Sequence, residues 1–314
     1  MKEKYINPYT DFGFKKLFGE EASKDLLIDF LNEVLKNEHT IVDLDFKPTE
    51  NLGIVENDRK AIFDIYCKGS NNEYFIVEMQ KAKINFFKDR TIFYSTFPIR
   101  EQAEKGEWDY NLKPVYCVAI LDFEFNKDKK TERYLSNIKL KDQYCEVFYD
   151  KLTFIFIEMP RFNKKENELT THFDKWLYFL KNLPSFDHIP DILKESVFIK
   201  GFEKAEISNY NEDELRRYEE SLKVYRDLKG VIDSAFDDGK IQGEKLGIEK
   251  GEKLGIEKGK NEEKKENAKK MKDKGLDINL ISEIIGLSIE DINKLWILTI
   301  FFISPKFLTI DLSL

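Results

Sequence analysis

The sequence predicts an α/β fold in which helices flank one mixed sheet. Residues 22–35 repeat apolar side chains at helical spacing and form the first clear helix. An amphipathic stretch at residues 86–105 is too long and too polar on one side for a strand, so it forms a second helix. Four apolar runs have the length of strands: residues 41–46, 61–68, 73–80 and 114–123. The predicted order is therefore helix, three strands, helix, strand.

The remainder of the chain divides by composition. Two further strands are predicted at residues 143–149 and 152–157, and a helix around residues 173–183. The predicted parts are an α/β domain (1–200), a charged helical segment (201–238), a glycine-repeat tract or linker (239–265), a small helix-turn-helix-like unit (266–296) and an apolar tail of unassigned role (297–314). The fold is thus an α/β core with a helical C-terminal extension.

Composition limits the possible partners. The net charge is -8, so phosphate contacts with a nucleic acid would have to be local. Cys67, Cys117 and Cys145 occur singly, which argues against a disulfide framework or a zinc site and favours a reducing cytoplasm. The start of the sequence has no secretory signal pattern, and the apolar run at residues 295–303 is about half the roughly 20 residues that span a bilayer. We therefore expect no membrane anchor.

An internal repeat occupies the tract that follows the charged segment. The motif EKLGIEKG occurs twice in succession, and glycine recurs at every fourth position from Gly239 to Gly259. Each glycine inside a helix costs about 1 kcal/mol relative to alanine, so a lone helix here is marginal. Two interpretations stay open: a charged, partly helical tether, or close helix pairing along the glycine positions. The second would make the protein a homo-oligomer.

The segment after the repeat is predicted to contain short helices separated by Gly275 and Gly286. Ser288 and Asp291 form a predicted capping box at the start of the last helix. The lysine-rich residues 264–274 precede this unit and could contact phosphates. A dimerising helical hairpin explains the same pattern equally well.

Two acidic residues interrupt otherwise apolar strands. In the run AIFDIYCK, alternation places Asp64 mid-strand, on the face opposite Phe63 and Ile65. In EYFIVEMQ, Glu78 and Gln80 share one face. The GSNN sequence between the runs predicts a turn, so the strands form a hairpin that brings Asp64 close to Glu78.

Two carboxylates on a buried sheet require a positive partner, because unpaired buried charges cost several kcal/mol and like charges repel. Magnesium prefers such hard oxygen ligands. We expect Asp64, Glu78 and the Met79 carbonyl to be its ligands. In the alternative interpretation, one carboxylate pairs with an arginine such as Arg90 or points to solvent from an edge strand.

The same residues resemble a known family. The spacing from Asp64 to Glu78-Met79-Gln80 is similar to the D-x(n)-E-x-Q signature of the PD-(D/E)XK nuclease superfamily, in its recombination-promoting nuclease or transposase branch. Further similar segments are TDFGFKKLFG (10–19), RTIFY (90–94), GEWDY (106–110), KPVYCVAILDF (113–123) and the glycine repeat. The resemblance covers residues 5 to about 295.

The resemblance implies a restriction-endonuclease-like α-β-β-β-α-β core at residues 1–200 that cleaves DNA with Mg²⁺, or with Mn²⁺ or Ca²⁺ as substitutes. Asp64, Glu78 and Gln80 are the expected catalytic residues. Gln80 stands where the wider superfamily usually has lysine, and it can orient water but cannot accept a proton near neutral pH. Asp11 is a further metal or substrate candidate, although its position equally fits a helix N-cap. Lys15, Lys16 and Arg90 are candidates for binding phosphate, and cations near an acidic sheet are also ordinary charge partners.

A second function class remains open on the sequence alone. An inactive nuclease fold could serve as a DNA- or protein-binding module that assembles through its C-terminal helices. The three histidines, His39, His172 and His188, have no neighbouring nucleophile and are assigned no chemistry. DNA cleavage in the service of recombination or mobile-element movement is the first hypothesis.

Overall fold

The structure is a computed structural model that describes residues 3–36, 38, 40–51, 61–103, 108–124 and 133–295. The chain divides into two compact units, residues 1–232 and residues 233–314. The predicted tail at 297–314, His39 and the first two residues of the GEWDY segment lie outside the described residues.

The first unit contains a six-stranded sheet and most of the helices. The helices are α1 (Asp11–Phe18), α2 (Lys24–Val34), α3 (Phe87–Glu101), α4 (His172–Asn182), α5 (Ser196–Ala205), α6 (Glu212–Asp273) and α7 (Ile278–Ile285). The strands are β1 (Leu44–Phe46), β2 (Glu50–Asn51), β3 (Ala61–Ile62), β4 (Ile65–Gly69), β5 (Tyr74–Gln80), β6 (Val115–Leu121), β7 (Leu135–Lys141) and β8 (Val147–Glu158). Helix α6 begins in the first unit and continues into the second.

The sheet has the strand order β1-β4-β5-β6-β8-β7. Strands β5, β6 and β8 run parallel, whereas the β1-β4, β4-β5 and β7-β8 pairs are antiparallel. The short strands β2 and β3 pair separately. The predicted order of helix, three strands, helix and strand is found from α2 to β6. It holds when only strands of the six-stranded sheet are counted, because β1, β4 and β5 then stand between α2 and α3. The predicted mixed α/β core with a helical C-terminal region is confirmed.

Both faces of the sheet are buried. One face carries Val77 and Val118 and packs against α1, α2, α4 and α5, around the fully buried Trp176. The opposite face carries Ile76 and packs against α3 through residues such as Phe97. Burial on both faces explains why β6 is a continuous apolar run rather than an alternating one.

Two predictions about the strands are wrong. The strands predicted at 143–149 and 152–157 are one long strand, β8, whose antiparallel partner β7 was not predicted. Strand β7 is an edge strand with many exposed side chains, so its apolar periodicity is weak.

The run at residues 61–68 is also not a single strand, because the chain bends at Phe63 and Asp64 between β3 and β4. Because of this bend, the side chains of residues 61–68 do not alternate strictly between the two faces of the sheet. Phe63 joins the buried cluster on the α3 face, whereas Ile65 joins the opposite face. Asp64 therefore lies at the start of β4 and not mid-strand.

The second unit contains a small helical cluster. Ala268, Ile281 and Ile292 are buried together at the junction of α6, α7 and the helical residues 289–295. Gly275 and Gly286 have φ angles of +81° and +70°, a conformation that glycine adopts without strain. Ser288 caps the following residues by accepting a hydrogen bond from the Asp291 main-chain N–H at 3.1 Å.

The glycine repeat is helical throughout, because it lies within α6. A Cβ atom added at any glycine of the repeat would meet no atom within 4 Å in the described part of the chain. Pairing of this segment with another helix therefore stays a prediction. Among the described residues, no helix is long and apolar enough to cross a membrane.

Candidate active site

Asp64 is oriented by the neighbouring strand. Residues Ile65 and Val77 are register partners in the antiparallel β4-β5 pair, which places Asp64 beside the end of β5. The main-chain N–H of Met79 donates a 2.8 Å hydrogen bond to Asp64 Oδ2. This contact fixes one carboxylate oxygen and leaves the other for a further ligand. The predicted proximity of Asp64 to the Glu78 segment is therefore present.

The carboxylate of Glu78 is nearly enclosed, with 13% of its side chain exposed. It lies on β5, next to Ala119 of the parallel strand β6. The pKa of Glu78 is raised to about 7, mainly by burial; the charge of Arg90 opposes the rise, and the nearby Asp64 carboxylate adds to it. An acid with such a pKa in a sheet is typical of a functional site.

Asp64 is perturbed in the same direction. Burial raises the pKa of the Asp64 carboxyl, and the negative charge of Asp11 adds to that effect. The hydrogen bond from Met79 and the charges of Lys15 and Lys81 act in the opposite sense. Two neighbouring acids therefore both resist ionisation, and a bound cation would relieve both.

Arg90 on α3 contacts the second carboxylate. Its Nη2 atom lies 3.4 Å from Glu78 Oε2, and the guanidinium also donates a hydrogen bond to the side-chain oxygen of Gln80. The rings of Phe87 and Tyr94 lie 5.9 and 5.3 Å from the guanidinium. The alternative interpretation, in which a carboxylate pairs with Arg90, thus holds for Glu78.

The side-chain amide of Gln80 makes two hydrogen bonds. Its oxygen accepts from Arg90, and its Nε2 atom donates to the Ala82 carbonyl at 2.9 Å. The Gln80 main-chain carbonyl accepts from the Asp122 N–H at 3.0 Å. Gln80 is therefore held on the α3 side of the strand, together with Glu78.

Asp11 lies at the start of α1, but it is not the helix cap. The hydroxyl of Thr10 accepts a 2.9 Å hydrogen bond from the Gly13 N–H, so Thr10 is the N-cap and the N-cap interpretation of Asp11 is wrong. Asp11 occupies the first helical position, half exposed, with Lys15 at 3.0 Å. An acid in the first turn also complements the helix dipole.

A cavity of about 590 Å³ lies between α1, the β4-β5 strands and α6. Asp11, Lys15 and Asp64 face it together, so three of the predicted residues share one site. Glu78, Gln80 and Arg90 form an adjacent cluster through the contacts described above. The two groups meet where Asp64 approaches the end of β5.

Two cationic residues of this cavity were not predicted from the sequence. Lys81 directly follows Gln80, and Arg217 lies near the start of α6. Lys81 could have been found, because alternation along β5 places the residue after Gln80 on the opposite face. Arg217 could not, since its proximity to Asp64 depends on how α6 packs.

The donor set suits a hard divalent cation. Asp64, Glu78 and the Met79 carbonyl supply oxygen atoms, which magnesium prefers, and the raised pKa of each carboxyl indicates that a cation would stabilise the ionised pair. Within the described residues, no group of three or more histidine, cysteine, aspartate or glutamate side chains could hold a metal by itself. Water and substrate oxygens would complete the coordination shell.

The described histidines lie in other environments. His172 bridges Asp29 and Glu195, and the exposed His188 pairs with Asp187. Neither residue lines the cavity beside Asp64. They provide no ligand to the candidate metal site.

Comparison with known proteins resolves the family. Residues 8–235 match the family described as PD-(D/E)XK nuclease family transposase. The chain belongs to this family. No curated protein and no solved structure matches the chain. The family match extends beyond the α/β core into α6, so the first turns of that helix belong to the PD-(D/E)XK nuclease family unit.

Proposed function

We propose that this PD-(D/E)XK family protein is a Mg²⁺-dependent DNA endonuclease that hydrolyses phosphodiester bonds. The observation that carries the proposal is the pairing of Asp64 with the end of β5, where Met79 orients one carboxylate beside the buried carboxylate of Glu78. Two neighbouring acids, of which Asp64 faces the cavity and Glu78 is buried beside it, are suited to holding a cation against a phosphate.

Asp64, Glu78 and the Met79 carbonyl are the proposed ligands of the ion, with Mn²⁺ or Ca²⁺ as substitutes. A bound magnesium ion lowers the pKa of water and neutralises charge on the phosphate. The side chains hold the substrate in place while water attacks phosphorus and the P–O bond to the leaving oxygen breaks. The proton of the attacking water passes to solvent, since Gln80 cannot accept it.

Gln80 is the proposed third catalytic residue, which positions the attacking water. Its amide group is hydrogen-bonded to Arg90 and Ala82, and its second N–H and second oxygen lone pair are the groups proposed to bind water or phosphate. Arg90 is proposed to contact phosphate, and its release from Gln80 would serve the same step. Asp11 and Lys15, which face the cavity as a pair, are proposed as further metal and phosphate contacts.

The proposal is tested by nicking of supercoiled plasmid DNA with Mg²⁺, Mn²⁺, Ca²⁺ or EDTA. We expect cleavage with Mg²⁺ that EDTA abolishes. Asp64→Asn and Glu78→Gln should each lower the rate by at least ~100-fold, on the scale of losing a charge-stabilising group. The control is Asp45→Asn, which removes an exposed acid from the adjacent strand β1. Equal cleavage by all variants would overturn the proposal.

A second function is favoured by one observation, the ion pair between Arg90 and Glu78, which neutralises a carboxylate without a metal. In that case the fold acts as a DNA- or protein-binding module that assembles as a homo-oligomer. DNA binding without any cleavage would favour it. We place the activity in the cytoplasm, supported by the three cysteines being free thiols, and in recombination or mobile-element movement, as the family description suggests.

A further inference from the structure

The first turns of α6 form one wall of the Asp64 cavity. The hydroxyl of Ser221 accepts a 3.1 Å hydrogen bond from the Phe12 N–H, and the hydroxyl of Tyr218 accepts a 3.0 Å bond from the Asn7 N–H. Further along the helix, the Tyr225 hydroxyl donates to Asp122 Oδ2 at 3.0 Å. Three hydrogen bonds thus hold this part of α6 against α1 and the end of β6.

Four cationic side chains line this cavity, and they differ in their charge balance. Lys15 is paired with Asp11, and Lys16 is paired with Glu20 and Glu214. The other two are Lys81 and Arg217. Neither of these forms a salt bridge with any residue that the structure describes. Acidic side chains also line the cavity (Asp11, Glu20, Asp64 and Glu220), so its positive charge is local. Lys81 and Arg217 are the two lining cations that no salt bridge neutralises within the described part of the chain.

Lys81 enters the cavity because of the alternation along β5. Gln80 is held on the α3 side through Arg90, so the next residue projects to the opposite side. On that side Lys81 lines the cavity with Asp64. Its positive charge acts on the Asp64 carboxylate and lowers the pKa of that group.

Arg217 approaches the cavity from α6 with its position fixed by an aromatic ring. The guanidinium carbon lies 5.5 Å from the centre of the Phe12 ring. The Phe12 N–H is itself bonded to Ser221, one helical turn further along α6. The planar guanidinium of an arginine binds phosphate through two parallel hydrogen bonds.

We propose that Arg217 and Lys81 hold a backbone phosphate of the DNA at the Asp64 cavity. The inference deepens the proposed nuclease function and rests on it for the identity of the substrate. It also assigns a role to α6: the helix after the α/β core contributes a substrate-contacting residue to the active site. Both side chains act by charge and hydrogen bonding, so no bond is made or broken on them.

The test is equilibrium binding of a fluorescein-labelled DNA duplex to the full-length protein in EDTA, at several salt concentrations. Each phosphate contact contributes about 0.9 to the slope of log affinity against log salt. Arg217→Gln and Lys81→Gln should each lower the slope by about this amount and weaken binding by roughly 3- to 30-fold at low salt. Lys81→Arg should retain the wild-type slope.

Two control variants remove a matched charge outside the cavity. The first is Lys223→Gln, at an exposed position of α6. The second is Lys83→Gln, two residues after Lys81. Both should keep the wild-type slope. Thermal melting of every variant separates loss of binding from loss of folding, because both test residues are partly exposed and should melt as the wild type does.

The possible outcomes distinguish this inference from the nuclease proposal. Unchanged slopes for both test variants in a protein that cleaves DNA would overturn the phosphate site and leave the nuclease function standing. Reduced slopes in a protein that never cleaves would support the site and reject the nuclease. A wild-type protein that binds no DNA in EDTA would overturn the phosphate site, whereas the nuclease proposal would still be decided by plasmid nicking with Mg²⁺.

Discussion

The main-chain N–H of Met79 donates to the carboxylate of Asp64 at 2.8 Å. The backbone of β5 therefore orients Asp64, the acid that precedes β4. This geometry keeps Asp64 in position when its charge changes, because the donor belongs to the sheet and cannot rotate away. It also brings Asp64 close enough to Glu78 for the two charges to affect each other.

Glu78→Gln should stabilise the metal-free protein at alkaline pH. Burial raises the pKa of Glu78 from 4.5 to about 7, so folding favours its protonated form. The folded state is relatively most stable below pH 4.5 and loses that advantage as the pH rises through 7. Above pH 7 the wild type retains a buried carboxylate that glutamine lacks, which we expect to cost roughly 1–3 kcal/mol.

The measurement is urea unfolding in EDTA at pH 5 and pH 8, with the free energy of unfolding extrapolated linearly to zero denaturant. The gain from Glu78→Gln should be larger at the higher pH. Asp45→Asn, an exposed acid on β1, serves as control and should show no such gain. Equal effects of Glu78→Gln at both pH values would contradict the raised pKa.

Gln80→Ala should slow cleavage by roughly 10- to 1000-fold, the scale of losing an oriented polar group. The amide oxygen of Gln80 also holds Arg90 beside Glu78, so its loss should free the arginine. Single-turnover cleavage with saturating Mg²⁺ measures the effect. Gln143→Ala, in the exposed turn between β7 and β8, is the matched control. Full activity of Gln80→Ala would remove this residue from the site.

The central strands were predictable because both of their faces are buried. Continuous apolar runs specify β5 and β6, and the single acid in β5 is visible against them. The bend at Asp64 was not predictable, because Phe63 and Ile65 are both apolar and either can fill either face. Alternation alone carries no information about such a break.

The cavity was only partly predictable. Asp64 and Glu78 are close in sequence through a short hairpin, so their proximity follows from local structure. Arg217 lies more than 150 residues after Asp64. Its approach depends on aromatic stacking and on hydrogen bonds to α1, which no local pattern encodes.

Asp174→Ala should destabilise the first unit by roughly 2–4 kcal/mol, because it removes a buried charge from its partners. The carboxylate is 1% exposed and accepts from Lys164 at 2.8 Å and from the Thr171 N–H at 3.1 Å. Although burial opposes ionisation, these donors lower the pKa of Asp174 to about 2. The contribution of the Asp174 carboxylate to the stability of the fold is therefore present above pH 4 and is lost as the pH falls towards 2.

Urea unfolding at pH 7 tests the Asp174 prediction. Asp191→Ala is the control, because Asp191 is exposed and pairs with the nearby Lys194. That variant should change stability by less than ~0.5 kcal/mol. If Asp174→Ala lowers the free energy of unfolding as little as the control does, water replaces the partners of Asp174 without cost, and the prediction is wrong.

His172→Gln should make stability less dependent on pH near neutrality. His172 lies 2.7 Å from Asp29 and 2.9 Å from Glu195, and the hydrogen bond to Asp29 raises the pKa of its imidazole. A raised pKa means that the stabilisation is complete below pH 6.5, the unperturbed value, and is lost as the pH rises through the folded value. The partners are more than a third exposed, so the difference should be only ~0.5–1 kcal/mol.

Unfolding of wild type and His172→Gln across pH 5 to 9 measures this effect. The stability difference should be largest at the acidic end and should shrink with rising pH. His188→Gln removes an exposed histidine and controls for general titration. A difference that is constant over the range would show that His172 contributes by packing rather than by charge.

Truncation after Asp238 should preserve the active site but weaken DNA retention or self-association. The removed segment begins with the glycine repeat, and residues 240–274 carry 12 lysines and eight acidic residues, whereas the whole chain has a net charge of -8. The cationic segment is therefore suited to weak, salt-sensitive contacts. Residues 8–235, which match the nuclease family, stay intact.

Light scattering and salt-titrated DNA binding compare the truncated and full-length proteins, with plasmid nicking as the readout of the Asp64 site. A second variant, in which alanine replaces Gly243, Gly247, Gly251 and Gly255, separates the two interpretations of the repeat. Alanine stabilises a lone helix by up to ~1 kcal/mol per position, so a tether would gain helicity and keep its oligomeric state. Close pairing along the glycines would instead be blocked by the added methyl groups, and the oligomer would dissociate. If truncation changes neither oligomeric state nor DNA affinity nor salt slope, the C-terminal segment is a spacer and has no part in binding.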